Sequence, residues 1–152
     1  MLLLATGLAG VGCSTVESPQ LTVVDARVTE ETDEGVMIEF TLEGVNENTQ
    51  ELPLREVTYS LSVDGRRVFS GQRSAEATLR RLGSQRFLLP AVVPASAEVG
   101  PVAGSTYRVS GQVVYLAPGA IAELLFDSGL RRPKVSFSGT GTIGANDAVS
   151  TN

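Results

Sequence analysis

The stretch EVTYSLSVDG, residues 56–65, alternates apolar and polar side chains strictly. Its apolar members are Val57, Tyr59, Leu61 and Val63, and its polar members are Glu56, Thr58, Ser60 and Ser62. Successive side chains of a β-strand point to opposite faces, so this period of two predicts a strand with one face in a core and one in water. The Asp64-Gly65 pair that follows is typical of a tight hairpin turn.

Further strand patterns recur along the chain, separated by turn residues. They cover residues 21–30, 35–44, 66–71, 86–94, 105–116 and 133–144. Pro90 and Pro94 favour an edge position for the strand that holds them, or an exit from the sheet, because proline donates no ladder hydrogen bond. Residues 119–130 have helical character and predict a connection of one or two turns before the last strand. We therefore expect an all-β fold, an antiparallel β-sandwich of the immunoglobulin or fibronectin type III kind with about seven strands.

The absences in the composition exclude several kinds of chemistry. The 152 residues contain no His and one Cys, which excludes a Ser-His-Asp triad, a zinc site with His ligands and an intrachain disulfide. No phosphate-binding glycine loop occurs. The net charge of −5, without a long basic run, argues against nucleic-acid binding. We expect no catalytic residues, no metal, no cofactor and no enzymatic activity.

The first thirteen residues, MLLLATGLAGVGC, are apolar and uncharged and end at the only cysteine, Cys13. The segment is too short to span a bilayer and is typical of a signal-peptide core. It resembles the lipobox of bacterial lipoproteins, in which the cysteine becomes the lipidated first residue. Two departures are Gly10, where a leucine is usual, and the missing basic region. The alternatives are a plain secretory signal and a buried thiol.

The lipobox resemblance implies a domain order and a location. Residues 1–13 form the signal segment, 14–20 a short tether, 21–146 the β-sandwich domain and 147–152 a disordered tail. Ser14 follows the cysteine where aspartate would imply retention in the inner membrane. The expected location is the bacterial cell envelope, as an outer-membrane lipoprotein facing the periplasm.

Residues 43–71 carry a second resemblance. A strand leads into Val45-Asn46-Glu47-Asn48, followed by Leu52-Pro53-Leu54, the alternating strand, the Asp64-Gly65 turn and a strand that closes at Gly71. This order is similar to that of the late embryogenesis abundant type 2 family, also called the WHy (water stress and hypersensitive response) domain. The resemblance covers about residues 21–143. Glu47 departs from it, since the family usually has proline there.

The motif residues are predicted to be structural. Asparagine side chains hydrogen-bond neighbouring backbone groups and tolerate positive φ, so we expect Asn46 and Asn48 to hold a turn, with ligand binding as the alternative. Pro53 would fix the entry to the next strand, Gly65 would complete the hairpin turn, and Gly71 would allow a bend or a close backbone approach.

The family resemblance implies a stress-associated protein that binds or protects membranes or other proteins without turnover. The alternative is a lipid- or apolar-ligand-binding or transfer module of the cell envelope. The tract LLPAVVPASAEVGPVAG, residues 88–104, would line an opening in that case, or cover the core as a loop. The expected partners are the membrane, through the lipid anchor, and a lipid or client protein. The pattern leaves the oligomeric state open.

Overall fold

The computed structural model describes residues 16–145, which form two antiparallel β-sheets that face each other. The strands are β1 (Gln20–Thr32), β2 (Gly35–Asn46), β3 (Leu52–Val63), β4 (Arg66–Ser74), β5 (Thr78–Leu79), β6 (Gly83–Pro94), β7 (Thr106–Tyr115) and β8 (Lys134–Thr142). One sheet has the order β1-β2-β6 and the other β4-β3-β7-β8, with β5 paired to the beginning of β3. A short 3-10 helix (Ala95–Ala97) follows β6, and an α-helix, α1 (Ala120–Asp127), connects β7 to β8.

The prediction of an all-β antiparallel sandwich is confirmed. The described residues contain eight strands, where about seven were expected. The additional strand is β5, which has only two residues and pairs with Leu52 and Pro53. Because of that pairing, β3 begins at Leu52, five residues before the alternating pattern at Val57.

The core lies between the inward faces of the two sheets. The alternating side chains of β3 are buried as predicted: Val57, Tyr59, Leu61 and Val63. The core is completed by apolar residues of the other strands, among them Ile38, Phe40, Leu42, Leu89, Val93, Val109, Val113, Phe137 and Ile143. The Phe40 and Tyr107 rings meet edge to face, with their centroids 5.2 Å apart, in a favourable aromatic geometry.

The hairpin between β3 and β4 is a tight two-residue connection. Val63 pairs with Arg66, so Asp64 and Gly65 alone form the loop. Both have positive φ, 48° and 82°, as a type I′ turn requires. The Asp64 carboxylate accepts hydrogen bonds from the backbone N–H and the hydroxyl of Thr106, both at 2.9 Å, and thereby ties the turn to the start of β7.

The two sheets are joined differently along their two sides. On one side, backbone hydrogen bonds link β1 to the residues after β8: Val28 N donates to Gly144 O at 3.0 Å and Gly144 N donates to Ala26 O at 2.8 Å. On the other side, β4 and β6 are the outer strands of separate sheets. There the Tyr59 hydroxyl donates across the core to the carbonyl of Pro90 in β6. The edge position predicted for the strand with Pro90 and Pro94 is confirmed.

Helix α1 has no buried residue. Its eight residues match the one or two turns expected from the sequence, and it precedes the final strand. Gly119, which precedes the helix, has a φ of 111°, and Gly129, after it, has a φ of 75°, so glycine accommodates the backbone at both ends. Ser128 N donates to Leu124 O at 3.1 Å and closes the last turn.

Candidate functional site

The turn between β2 and β3 is organised by Asn46, a polar residue with no exposed surface. Its side-chain Nδ2 donates to Gln50 O at 2.8 Å and to Leu79 O at 3.4 Å. Its Oδ1 accepts from the backbone N and the side-chain Nδ2 of Asn48, at 3.0 and 2.8 Å. The amide therefore links the end of β2, the turn and β5, and no part of it is open to a ligand.

Asn48 extends this network to the N-terminal segment. Its Oδ1 accepts from Glu17 N and its Nδ2 donates to Glu17 O, each at 2.8 Å. The Ser18 and Tyr115 hydroxyls are 3.0 Å apart, and Pro19 is buried. Residues 17–19 of the predicted tether thus contact the domain. Cys13, the signal segment and the C-terminal tail lie outside the described residues.

The remaining motif residues lie along β3 and β4. Pro53 is half-buried within β3, opposite Thr78, and its carbonyl accepts from Leu116 N at 2.9 Å. Gly71 lies opposite Tyr59, and a Cβ added to it would be 2.6 Å from Cζ of Phe69. The Phe69 ring thus occupies the space above the glycine, with its centroid 5.1 Å from that of Tyr59. These placements concern packing and involve no reactive group.

The titratable groups of the described residues show no catalytic arrangement. Burial raises the pKa of Tyr59 against the opposing effect of Arg73, and burial together with the Asp25 charge raises the pKa of Tyr107. The hydrogen bonds from the Thr106 N–H and from neighbouring hydroxyls lower the pKa of Asp64. Within residues 16–145, no three His, Cys, Asp or Glu side chains are placed to hold a metal ion.

The tract of residues 88–104 runs toward the end of the sandwich farthest from the N-terminal segment. In β6, Leu89 and Val93 point into the core while Leu88 and Val92 are exposed on the outer face. Val102 in the following loop is buried. This tract is therefore one edge strand followed by a loop that covers the core.

An apolar depression of about 790 Å³ lies at the other end of the sandwich, beside α1. Its lining includes Val16, Tyr115, Pro118, Ile121, Leu125 and Arg131. The sequence pattern predicted only a connection at this segment. A signal was available, because Ile121, Leu124 and Leu125 recur at helical spacing in a connection that has no partner helix.

Three large apolar side chains beside this depression face solvent. The exposed fraction is 77% for Ile121, 69% for Leu124 and 77% for Leu130. We call these three residues, together with Val16, the α1 surface. Arg132 lies over the Phe126 ring at 5.3 Å from its centroid and places a cation at the same end of the molecule. Large exposed apolar side chains grouped at one end of a molecule make that end a candidate interaction site.

Within residues 16–145 there is no helix with the length and hydropathy needed to cross a bilayer.

Known proteins with the same fold include both plant and archaeal structures. A solution structure from Arabidopsis thaliana is 17% identical, covers 96% of each chain and superposes with a TM-score of 0.61. A second solution structure, of a protein described as a putative late embryogenesis abundant (LEA) protein, is also 17% identical, with a TM-score of 0.64 over 89% of this chain and 75% of that one. A crystal structure from Archaeoglobus fulgidus is 14% identical, with a TM-score of 0.51 over 84% and 97%. At these identities the likeness shows the fold alone.

The sequence comparisons differ in outcome. No curated protein matches the chain significantly. The family profile described as late embryogenesis abundant protein, LEA_2, matches residues 41–141, from the middle of β2 to the end of β8. Since this match spans more than half of the chain, and the motif from Asn46 to Gly71 lies within it, the protein belongs to the late embryogenesis abundant type 2 family.

Proposed function

We propose that this protein is a non-enzymatic water-stress protein of the WHy type, anchored in the bacterial outer membrane through a lipid on Cys13, which binds or protects membranes or proteins. The observation that carries the proposal is the family match over residues 41–141. The described residues support it, since Asn46, the fully buried polar residue of the motif, is engaged in holding a turn. The motif thus specifies the fold, and function falls to the surfaces.

The anchor part of the proposal rests on the sequence before Val16. The only cysteine of the chain ends its only leader-like segment. A single acyl chain binds a membrane marginally, and stable anchoring needs a second signal, such as the additional acyl chains of a bacterial lipoprotein. The contact of Glu17 with Asn48 holds the folded domain close behind the anchor.

The test of the anchor is fractionation of the native host. Wild-type protein is expected in the membrane fraction and Cys13→Ser in the soluble fraction. Equal distribution of the two proteins would contradict lipid anchoring at Cys13. Ser14→Ala is the matched control, because it changes the neighbouring residue and keeps the thiol.

The test of the stress role is survival of the host after drying and rehydration. Deletion of the gene is expected to lower survival, and the wild-type copy is expected to restore it. Unchanged survival of the deletion strain would contradict the stress role. Full rescue by Cys13→Ser would show that protection does not need the anchor.

The second candidate function is a lipid- or apolar-ligand-binding module. The observation that favours it is the apolar depression beside α1, whose volume of about 790 Å³ is in the range of small-molecule sites. Lipid extraction and mass spectrometry of the purified protein would detect a stoichiometric lipid. If no lipid is detected, this second function is contradicted and the function is restricted to surface contacts.

A further inference from the structure

Helix α1 and the loop after it expose three large apolar side chains, and contact with water alone is unfavourable for them. Ile121, Leu124 and Leu130 are each more than two-thirds exposed, and no residue of α1 is buried. Ile121 and Leu124 are three positions apart and lie on one face of the helix. Exposed apolar side chains of this kind are buried only against a partner.

Helix α1 lies beside the point where the N-terminal segment meets the domain. Val16, the first described residue, lines the same depression as Ile121. Residue 17 is held to the domain by two hydrogen bonds with Asn48, both of 2.8 Å. Three residue steps separate Cys13 from Val16, and a fully extended chain spans at most about 3.3–3.6 Å per residue, so covalent geometry limits the distance between their Cα atoms to about 11 Å.

This short reach limits where a bilayer lies relative to the domain. An interfacial helix buries its apolar face about 5–10 Å into the boundary between headgroups and acyl chains. An anchor at Cys13, only three residues before Val16, would hold the N-terminal end of the sandwich against that boundary. The α1 surface is at this end, whereas Leu88 and Val92, exposed on β6, lie on the outer face of the three-stranded sheet.

We propose that helix α1 inserts Ile121 and Leu124 into the lipid interface of the membrane that carries the anchor, with Leu130 and Val16 at the edge of the contact. This inference rests on the proposed function, because the anchor supplies the second of the two signals that stable interfacial binding needs. Arg131 lines the depression and Arg132 lies over Phe126. Glu123 and Asp127 of α1 balance their charge, so the proposed contact depends on the apolar side chains.

The composition of the chain permits a direct measurement. It contains no Trp and a single Cys. Leu124→Trp therefore introduces the only tryptophan, and Cys13 of the full chain is coupled to a maleimide lipid in vesicles of phosphatidylcholine and phosphatidylglycerol. Leu88→Trp is the matched control, because it makes the same change at a half-exposed position of β6. Ile121→Trp is a second reporter, and circular dichroism verifies that each variant is folded.

On the vesicles, the tryptophan emission of Leu124→Trp and of Ile121→Trp should shift to shorter wavelength. When the phosphatidylcholine carries bromine atoms as quenchers, bromines near the headgroups should quench this emission more strongly than bromines deep in the acyl chains. The emission of the control variant Leu88→Trp should show neither effect. Equal quenching in Leu124→Trp and Leu88→Trp, or none in either, would overturn the proposal. So would a blue shift that needs no vesicles and increases with protein concentration, because it would assign the α1 surface to a second copy of this chain.

The two proposals fail separately. The maleimide coupling supplies the anchor chemically, so a negative quenching result overturns the α1 contact even where the host lipidates Cys13. Conversely, equal membrane retention of wild type and Cys13→Ser in the host overturns the native anchor and leaves the quenching result unaffected.

Discussion

Replacing Asn46 by alanine should destabilise the protein far more than the same change at Asn48. The Asn46 amide has no exposed surface, and Asn46→Ala removes bonds to Gln50 O at 2.8 Å and from Asn48 N at 3.0 Å. At about 1 kcal/mol for each of these bonds, with a further contribution from the weaker bond to Leu79 O and the small void, we expect a loss of about 2–4 kcal/mol in the free energy of unfolding. Asn48→Ala removes two exposed bonds to Glu17, which water replaces, and the bond from Asn48 Nδ2 to Asn46 Oδ1. Because Asn46 Oδ1 keeps the backbone N–H of residue 48 as a donor, this change should cost about 1 kcal/mol.

The assay is urea unfolding followed by circular dichroism. With a denaturant slope of about 2 kcal/mol per M, the expected loss lowers the urea midpoint by about 1–2 M in Asn46→Ala. The midpoint of Asn48→Ala should move by no more than about half of that. Equal midpoints for the two variants would refute the assignment of the turn to the buried amide.

Asn46→Asp gives a second test of the same network, with a pH signature. The variant keeps an acceptor for Asn48 N but turns a carboxylate toward the carbonyl oxygens of Gln50 and Leu79. Burial there raises the pKa of the new aspartate in the folded state above its unfolded value of about 3.9. The destabilisation is therefore full above the folded pKa and disappears as the pH falls toward the unfolded pKa. A destabilisation that is independent of pH would contradict this account.

Three further changes probe the rest of the fold. Leu61→Ala should cost about 2–5 kcal/mol because Leu61 is fully buried, whereas Ser60→Ala on the other face of β3 should change stability by less than about 0.5 kcal/mol; equal urea midpoints would show that the strand faces are assigned wrongly. Gly111→Ala should approach the upper end of about 1–3 kcal/mol, since its Cβ would be 2.5 Å from the Thr58 carbonyl oxygen, whereas in Gly71→Ala the neighbour is the movable end of a phenylalanine ring; a smaller effect for Gly111 in thermal unfolding would contradict this. Asp64→Asn should be less stable than wild type at neutral pH, and because the hydrogen bonds lower the folded pKa of Asp64, that difference should disappear as the pH falls below about 4; a constant difference between about pH 7 and pH 2 would be inconsistent with the lowered pKa.

The strand faces were predictable from the sequence because burial in a sandwich imposes a period of two on each strand. The buried residues from Val57 to Val63 follow this period. The Asp64-Gly65 turn was predictable for another reason, because positive φ values are a local property of these residue types. β5 was missed since two residues carry no period. Leu79 is buried by its pairing with β3, which is a contact between segments distant in sequence.

The α1 surface was less predictable, because exposure also depends on contacts between segments that are distant in sequence. The apolar residues of α1 are the same types that fill a core, and only the packing shows that Ile121 and Leu124 remain exposed. The apolar tract at residues 88–104 has a similar composition, yet Leu89 and Val93 are buried there. Composition does not distinguish these two outcomes, because exposure depends on which elements lie above each segment.

The unequal joining of the two sheets has a consequence for local unfolding. β1 and Gly144 are connected by backbone hydrogen bonds across the sandwich, whereas β4 and β6 belong to separate sheets. On that side the Tyr59 hydroxyl of β3 donates to the Pro90 carbonyl of β6. Partial opening should therefore begin between β4 and β6, with the opposite side as the hinge. In native-state hydrogen exchange, the hydrogen-bonded amides of β4 and β6 should have a lower free energy of opening than those of Val28 and Gly144. Tyr59→Phe should increase the difference between these free energies of opening.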